Sequence, residues 1–344
     1  LPTPPSGRGL TAPQRARRRV ANALAAAGYV ETPSFPFTTA ELNSLHGSAT
    51  GEPLPSVELA NPIDGQTRFL RRSLVPGLLQ TAHRNLARGF TDLALYELGS
   101  VFLPEPGVEY GTVDVPPLAQ RPDEATLAAL NASIPPQSRF VAVLATGAAV
   151  AKQPGQAAVP AALGDVLDAV HTIASAAGVT VSVEQGRRAA LHPGRAGIVS
   201  VGDTPVGYVG EVLPAVSAEA DLPGRVYVAE LDLDALTALA GERVTAASLS
   251  TFPAATQDVS LIVPADLPAA ALAAALRDGA GELLESLRLV DDYRGAGVPD
   301  DAKSLTFALR FRAADRTLTA AEATEAKLGG VAVAAERFGA TLRE

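Results

Sequence analysis

The stretch 61-NPIDGQTRFLRRSLVPGLLQTAHRNLARGFTDLALYELGSVF-102 decides how the first part of the chain folds. Its first residues, Asn61 to Gly65, form a turn signal, because proline fixes φ and glycine admits positive φ. Apolar residues then recur at helical spacing, with Ser73 placed to cap the helix and Gly89 placed to end it. The sequence therefore predicts a turn followed by one amphipathic helix.

The apolar run 93–98 that follows is too short for a buried helix and too apolar on both faces for an exposed strand. It predicts a central strand that carries one buried acid, Glu97. Burying a carboxylate is costly unless the group is paired, and Arg71 and Arg72 are the nearest basic candidates in sequence.

Helices and strands are predicted on both sides of this stretch. Before it, a helix spans 11–27, and an extended strand spans 29–37, which Pro33 and Pro36 confine to a sheet edge. After it come a helix at about 122–130, a strand at 139–146, a helix at 161–177 and strands at 179–184, 197–201, 205–212 and 225–232. Antiparallel strands with helices on their faces are the expected result.

The helix at 11–27 is strongly basic. Its four arginines are Arg15, Arg17, Arg18 and Arg19. A solvated helix is the simpler interpretation, and a surface that touches RNA or an acidic partner subunit is the alternative.

From about residue 250 the pattern changes to β-α-β-β-α-β, which is typical of a split βαβ domain. The predicted strands are 258–263, 284–293, 304–312 and 340–343, and the predicted helices are 268–279 and 319–337. The second helix begins with a capping box, in which Thr319 is followed by Glu322.

Strand alternation predicts which residues of this domain face outward. The buried side holds Leu305, Phe307, Leu309 and Phe311, while Arg288, Val290 and Arg294 share the open side. Guanidinium groups bind phosphate and stack on bases, so an open face with arginines suits RNA. The candidate RNA-binding residues are Arg288, Arg294, Lys303, Arg310, Arg312 and Arg316. Tyr293 is placed nearer the buried side, and a solvated polar face is the alternative interpretation.

The composition excludes several classes of protein. The 344 residues are 47% hydrophobic, and no apolar run approaches the ~18 residues that a membrane helix needs. No cysteine is present and the four histidines show no ligand spacing, so no metal site is predicted. A net charge of −9 restricts RNA contacts to local basic patches. No nucleophile–base pair or phosphate loop points to a catalytic site.

The chain resembles the C-terminal part of the bacterial phenylalanyl-tRNA synthetase β-subunit family. The first set of matching motifs is Asn61-Pro62, Leu70 to Leu79, Asn85 to Gly89, Tyr96 to Phe102, His192 to Arg195, and Gly207, Gly210, Glu211 and Pro214. The second set is Phe252-Pro253, Asp258 to Leu261, Leu283 to Ser286, Tyr293 to Gly295, Lys303 to Leu305, Asp315 to Thr319 and Arg337 to Ala340. Departures are Ser100, Leu213 and Gln257, where relatives often carry a basic residue or a histidine.

What the resemblance implies is an α+β chain with three parts. Residues 1–10 are a linker from a missing upstream part, 11–245 a non-catalytic class II aminoacyl-tRNA synthetase-like module with an antiparallel sheet and flanking helices, and 250–344 a ferredoxin-like βαββαβ anticodon-binding domain. The expected subunit-interface or core residues are Arg71, Arg72, Asn85, Glu97, His192 and Arg195.

The resemblance also implies a cytoplasmic (αβ)₂ heterotetramer that charges phenylalanine tRNA. Its α subunit uses ATP and Mg²⁺, while this segment supplies subunit contacts and tRNA binding, with no cofactor or catalytic residue of its own. Two alternatives stay open, a stand-alone RNA-binding protein and a structural scaffold that reuses these domains.

Overall fold

The computed structural model describes residues 7, 9–111, 115–116, 119–222, 224–241 and 250–343. Within the chain, two units are distinguished, Leu1–Val244 and Thr245–Glu344. Most of the predicted linker at 1–10, and most of the stretch between the two predicted domains, lie outside the described residues.

A large sheet organises the first unit. Its strands and those of two small ribbons are β1 (Val30–Glu31), β2 (Phe37–Thr38), β3 (Phe69–Leu70), β4 (Leu93–Phe102), β5 (Gln137–Thr146), β6 (Ala148–Val150), β7 (Val159–Pro160), β8 (Ser182–Gln185), β9 (Leu191–Val201), β10 (Thr204–Val212) and β11 (Val226–Asp232). The sheet runs in the order β1-β4-β5-β11-β10-β9-β8. Only the β1–β4 pair is parallel among these neighbours.

Helices cover both faces of this sheet. They are α1 (Ala12–Ala26), α2 (Ala40–Gly47), α3 (Val75–Leu86), α4 (Glu124–Ala132), α5 (Leu163–Ala177), α6 (Pro214–Glu219) and α7 (Leu233–Leu239). On one face, Leu24 of α1 and Ile173 of α5 belong to one buried cluster. On the other, Leu78 of α3 packs in a second cluster with Leu144 of β5. Burying each such side chain stabilises the fold by about 1.5–3 kcal/mol.

The helix predicted after Ser73 is α3, but Ser73 does not cap it. The cap position is Leu74, which makes no side-chain capping hydrogen bond. Ser73 Oγ accepts from the Val75 amide at 3.1 Å and donates to Glu230 at 3.1 Å. The capping prediction was wrong because α3 begins at Val75, one residue later than a cap at Ser73 requires.

Two strand predictions in the first unit also change. The extended strand predicted at 29–37 shrinks to the two-residue strands β1 and β2, with Pro33 and Pro36 between them. The run 93–98 belongs to the ten-residue strand β4, which lies second from one edge and not at the centre of the sheet. Proline lacks the N–H that a continuous ladder needs, which explains the first difference.

The second unit has the predicted βαββαβ order. Its elements are β12 (Ala255–Pro264), α8 (Ala269–Ala280), β13 (Leu284–Tyr293), β14 (Ala302–Phe311), α9 (Ala320–Phe338) and β15 (Thr341–Leu342). The sheet order is β13-β14-β12-β15, with antiparallel pairing throughout. The predicted buried row of β14, from Leu305 to Phe311 at alternate positions, is at most 2% exposed. The α+β fold class, with a mainly antiparallel sheet followed by a ferredoxin-like domain, is confirmed.

Candidate functional site

The open face of the second unit's sheet is defined by its strand register. Residues directly opposite each other in an antiparallel pair project to the same side. Thr306, Ala308 and Arg310 alternate with the buried residues of β14, so they project to the open side of the sheet. Their cross-strand partners project to the same side. Those partners are Thr256, Asp258 and Ser260 on β12 and Ser286, Arg288 and Asp291 on β13. Arg288 and Arg310 are therefore diagonal neighbours on one face.

Glu285 accepts hydrogen bonds from two of the predicted RNA-binding arginines, Arg310 and Arg312. Arg310 Nε donates to Glu285 Oε2, and Arg312 Nε donates to Oε1 at 2.8 Å. The hydrogen bonds from Arg310 and then Arg312 lower the pKa of the Glu285 carboxyl. Arg312 also donates to the carbonyls of Ser250 and Phe252, which leaves its side chain only 17% exposed. Arg310 remains 46% exposed, so it is the arginine that this arrangement presents to a ligand.

A bulge in β13 overturns the prediction that Arg288 and Arg294 share a side. The register shifts between Leu289 and Asp291, so strict alternation fails beyond that point. Tyr293 pairs with Ser304 and lies on the open side, contrary to prediction, with Arg343 stacked 4.7 Å above its ring centre. Arg294, one residue further along, is directed away from that side and bonds the Ala265 carbonyl at 3.3 Å.

Lys303 does not belong to the open face. It pairs with Val263, on the helix-covered side, and is only 6% exposed. Its Nζ lies 3.9 Å from Asp292 Oδ2. The prediction that Lys303 lies at the end of the open face was therefore wrong, because its side chain is buried on the helix-covered side.

Arg316 lies between β14 and α9, where it binds the helix start. It donates to Glu322 Oε1 at 2.8 Å and to Asp315 Oδ1 at 3.3 Å. The hydrogen bond from Arg316 is the main cause that lowers the pKa of Glu322 to about 2. The predicted capping box of Thr319 and Glu322 is present, and Arg316 adds an ion pair with its glutamate.

In the first unit, Arg71 and Glu97 form a buried ion pair. Arg71 Nη1 lies 2.7 Å from Glu97 Oε1, and the two residues are 7% and 3% exposed. Ser34 completes the site, because its hydroxyl donates to Glu97 Oε2 at 2.6 Å. Arg71 Nε donates to the Ser100 carbonyl at 3.0 Å, and a side chain at Gly99 would collide with Arg71 Nη2. These contacts place the pair in the core and fix β4 to the preceding chain.

Arg72 contacts two segments that precede it in the chain, whereas Asn85 contacts its own helix. The Arg72 amide donates to Asn43 Oδ1 at 2.8 Å, its guanidinium donates to the Pro55 carbonyl, and partial burial lowers its pKa. Asn85 Nδ2 donates to the Thr81 carbonyl at 2.8 Å, one helical turn earlier. The basic partner of Glu97 is thus Arg71 and not Arg72.

Sequence patterns did not identify a second buried acid, Glu230, in the middle of β11. It accepts hydrogen bonds from the Leu74 amide at 2.6 Å, from Ser73 Oγ at 3.1 Å and from Tyr208 Oη at 2.9 Å. Arg188 lies 4.4 Å from the Tyr208 ring centre. Burial outweighs these hydrogen bonds and raises the pKa of Glu230 above its ordinary value of 4.5. No local signal marks it, because its partners come from distant parts of the chain.

We expect Glu230→Gln to gain stability relative to the native chain as pH rises above about 4.5. A raised folded-state pKa means that the folded protein holds the proton more tightly than the unfolded chain, so the native stability falls as pH rises through this window. A glutamine cannot ionise, so that loss disappears. Urea unfolding of both proteins at several pH values measures the difference, and a difference that stays constant with pH would contradict the shift.

His192 and Arg195 lie at the start of β9, beside the end of β10. His192 Nδ1 accepts a hydrogen bond from the Gly194 amide at 3.1 Å. Arg195 Nη1 lies 3.0 Å from each carboxylate oxygen of Glu211. A side chain at Gly210 would collide with the Arg195 carbonyl, so a glycine at this position allows β9 and β10 to pack closely.

The part of the chain that the structure describes contains no group of three or more His, Asp or Glu side chains able to hold a metal ion. None of its helices combines the length and the apolar character needed to cross a membrane.

Two family models match this chain. The first, described as the phenylalanyl tRNA synthetase beta chain CLM domain, matches residues 1–233. The second, described as the ferredoxin-fold anticodon binding domain, matches residues 250–343. Together they cover both units described above.

Three curated relatives share the name phenylalanine–tRNA ligase beta subunit. The phenylalanine–tRNA ligase beta subunit of Leifsonia xyli subsp. xyli is 54% identical over 347 residues, covering 100% of this chain and 41% of that protein. The proteins of the same name from Mycolicibacterium paratuberculosis and Streptomyces avermitilis are each 44% identical over the whole chain. The chain thus spans 41% of the first relative's length and 42% of the last one's.

Among solved structures, a pyrrolysyl-tRNA synthetase from Desulfitobacterium hafniense is 16% identical, with a TM-score of 0.43 over 64% of this chain and 66% of that one.

Proposed function

The chain belongs to the phenylalanyl-tRNA synthetase β-chain family, and on that premise we propose that it is the β-subunit portion of a phenylalanine–tRNA ligase that binds tRNA and a catalytic partner. The family model over residues 1–233 and relatives up to 54% identical over the full chain support this assignment. The anticodon-binding model over residues 250–343 supports a tRNA contact in the second unit.

The open sheet face is the observation that carries the tRNA proposal. Arg310 is aimed by Glu285, and Arg288 is exposed, with no ion pair among the described residues. A row of hydroxyls lies beside them, in which Ser260 and Thr306 are 2.9 Å apart. Arginines bind phosphates and stack on bases, while serine and threonine hydroxyls bind sugar, phosphate or base edges. This combination suits a single-stranded loop, such as an anticodon.

The assembled enzyme divides its functions between two kinds of subunit. We assign amino-acid activation, and with it ATP and Mg²⁺, to an α subunit in a cytoplasmic (αβ)₂ heterotetramer. The described residues of this chain offer no three-ligand metal cluster. In class II synthetases, ATP is held by an arginine of an Arg-x-Glu pair and by an arginine of a Gly-x-Gly-x-x-Arg motif. This sequence has no such pair in β4 and no such glycine-rich motif, which supports the proposal that the module is non-catalytic.

We expect the double variant Arg288→Ala/Arg310→Ala to bind the anticodon stem-loop of phenylalanine tRNA roughly 10- to 30-fold more weakly than the native chain, with a shallower salt dependence. The reason is the loss of two charged contacts on one face. Fluorescence anisotropy with the full 344-residue chain, over a series of salt concentrations, measures both quantities.

Arg337→Ala is the matched control. Arg337 is 47% exposed and ion-paired with Asp278, but it lies on α9, which packs against the opposite side of the sheet. Equal binding by the native chain and the double variant would refute the proposed face. Tight binding of an unrelated stem-loop, with no association with an α subunit, would favour a stand-alone RNA-binding protein. Absence of RNA binding, with α-subunit association retained, would favour a scaffold.

A further inference from the structure

A pocket of ≈ 470 Å³ opens at one end of the large sheet in the first unit. Its lining includes His192, Arg195, Glu211, Ser217 and Arg225. Glu211 is the buried centre, with its side chain 4% exposed. Arg195 Nη1 lies 3.0 Å from both of its carboxylate oxygens, and Arg225 Nε lies 3.8 Å from Oε1.

The two arginines carry more charge than Glu211 neutralises. Their side chains are 43% and 65% exposed, so both reach the pocket mouth. Among the described residues, Arg195 uses only Nη1 in its hydrogen bonds, and the Arg225 side chain has a hydrogen bond with Tyr227. A guanidinium has five N–H groups, so both arginines keep free donors. One carboxylate against two guanidiniums leaves a net positive pocket on a chain whose formal charge is −9. Glu211 thus acts as the anchor that holds cationic donors in place.

Ser217 is an independent indication of a ligand. It is 3% exposed, and its Oγ has no hydrogen-bond partner among the described residues. Native proteins rarely leave buried polar atoms unpaired, and rotation about the Cβ–Oγ bond lets a hydroxyl direct its proton toward an acceptor within reach. His192 adds another donor, because its Nδ1 accepts the Gly194 amide, which leaves the proton of the neutral ring on Nε2.

We propose that this pocket binds a phosphate group. The lining of this single cavity includes four donor side chains, namely two arginines, one serine and one histidine. A tetrahedral oxyanion with several acceptor oxygens uses such a set better than a planar carboxylate, and arginine pairs are well suited to phosphate. The group belongs either to a small phosphate ester or to the backbone of an RNA. The lining residues all belong to the first unit, whereas the sheet face proposed for the anticodon belongs to the second.

The test is calorimetric titration of the full chain with inorganic phosphate at constant ionic strength. We expect the native chain to bind with a Kd on the order of 1 mM, and Arg225→Gln to weaken that binding about 10-fold or more. Ser217→Ala removes one neutral donor, so a loss of roughly 3-fold is expected. Ser217→Ala keeps both arginines and Glu211, and therefore still tests the site if Arg225→Gln folds poorly.

Arg68→Gln is the control, because Arg68 is also about half exposed and ion-paired, with Glu58. Phosphate binding that is absent, or that is equal in the native chain, Arg225→Gln and Ser217→Ala, overturns the proposal. If the pocket binds phosphate, competition experiments identify the molecule to which the phosphate group belongs. Displacement by glycerol phosphate but not by an RNA without terminal phosphates indicates a small ester, and displacement by that RNA indicates a backbone phosphate.

Discussion

Replacement of Arg71 by alanine is expected to lower the free energy of unfolding of the first unit by about 3–5 kcal/mol. Glu97 is 3% exposed, and without Arg71 its charge would keep only the hydrogen bonds from Ser34. Removing one partner of a buried pair is costly because the remaining charge has lost both its counter-ion and its water. Urea unfolding followed by circular dichroism measures the change, and hydrogen exchange in β4 and β5 assigns it to this unit.

Two companion variants separate the buried pair from an ordinary salt bridge. Arg68 and Glu58 are 2.6 Å apart but each about half exposed, so Arg68→Ala should cost at most about 1 kcal/mol. The double variant Arg71→Met/Glu97→Leu replaces both charges with apolar groups and should recover most of the lost stability. If Arg71→Ala costs no more than Arg68→Ala, the buried pair does not stabilise the fold in this way.

Local periodicity was enough to predict most of the helices and strands, and it also predicted the buried row of β14. On β14, strict alternation correctly assigned Leu305, Phe307, Leu309 and Phe311 to the core, because a two-residue repeat fixes side-chain direction in an uninterrupted strand. The same rule failed on β13, where a bulge reverses the direction of Tyr293 and Arg294. A bulge depends on pairing with the neighbouring strand, and the alternation of one strand does not reveal it.

In the candidate sites too, short motifs identified some residues, whereas others are brought close only by the fold. Short motifs brought Arg71, Glu97 and Arg195 to attention, since each stands in a distinctive run of residues. The motifs did not identify the residues that bond to them, which are Ser34 for Glu97 and Glu211 for Arg195. They also did not predict the hydrogen bond from Ser73 to Glu230. Each of these contacts joins segments that the fold brings together. Glu285 was missed for a related reason, because its importance follows from two arginines on the adjacent strand.

His46 is expected to make the first unit sensitive to acid. It lies in α2, is 2% exposed, and its Nε2 has no hydrogen-bond partner among the described residues. Burial lowers the pKa of His46 from 6.5 to about 4. A lowered folded-state pKa means that the unfolded chain takes up the proton first, so stability is complete above pH 6.5 and is lost as pH falls toward 4. The loss from pH 7 to pH 4 amounts to about 3 kcal/mol.

The variant His46→Leu should not show this loss, because it has no proton to take up and no unpaired buried nitrogen. Other ionisable side chains lie near His46, since Glu41, His83, Glu219 and Asp221 line the same cleft. Comparing the variant with the native chain at the same pH cancels their contribution, and His171→Gln, at an exposed position, controls for the loss of an imidazole. The native chain and His46→Leu should therefore differ by about 3 kcal/mol more at pH 4 than at pH 7 in urea unfolding, whereas His171→Gln should follow the native chain. Parallel stability curves for all three proteins would mean that His46 does not remain neutral and buried in the folded state.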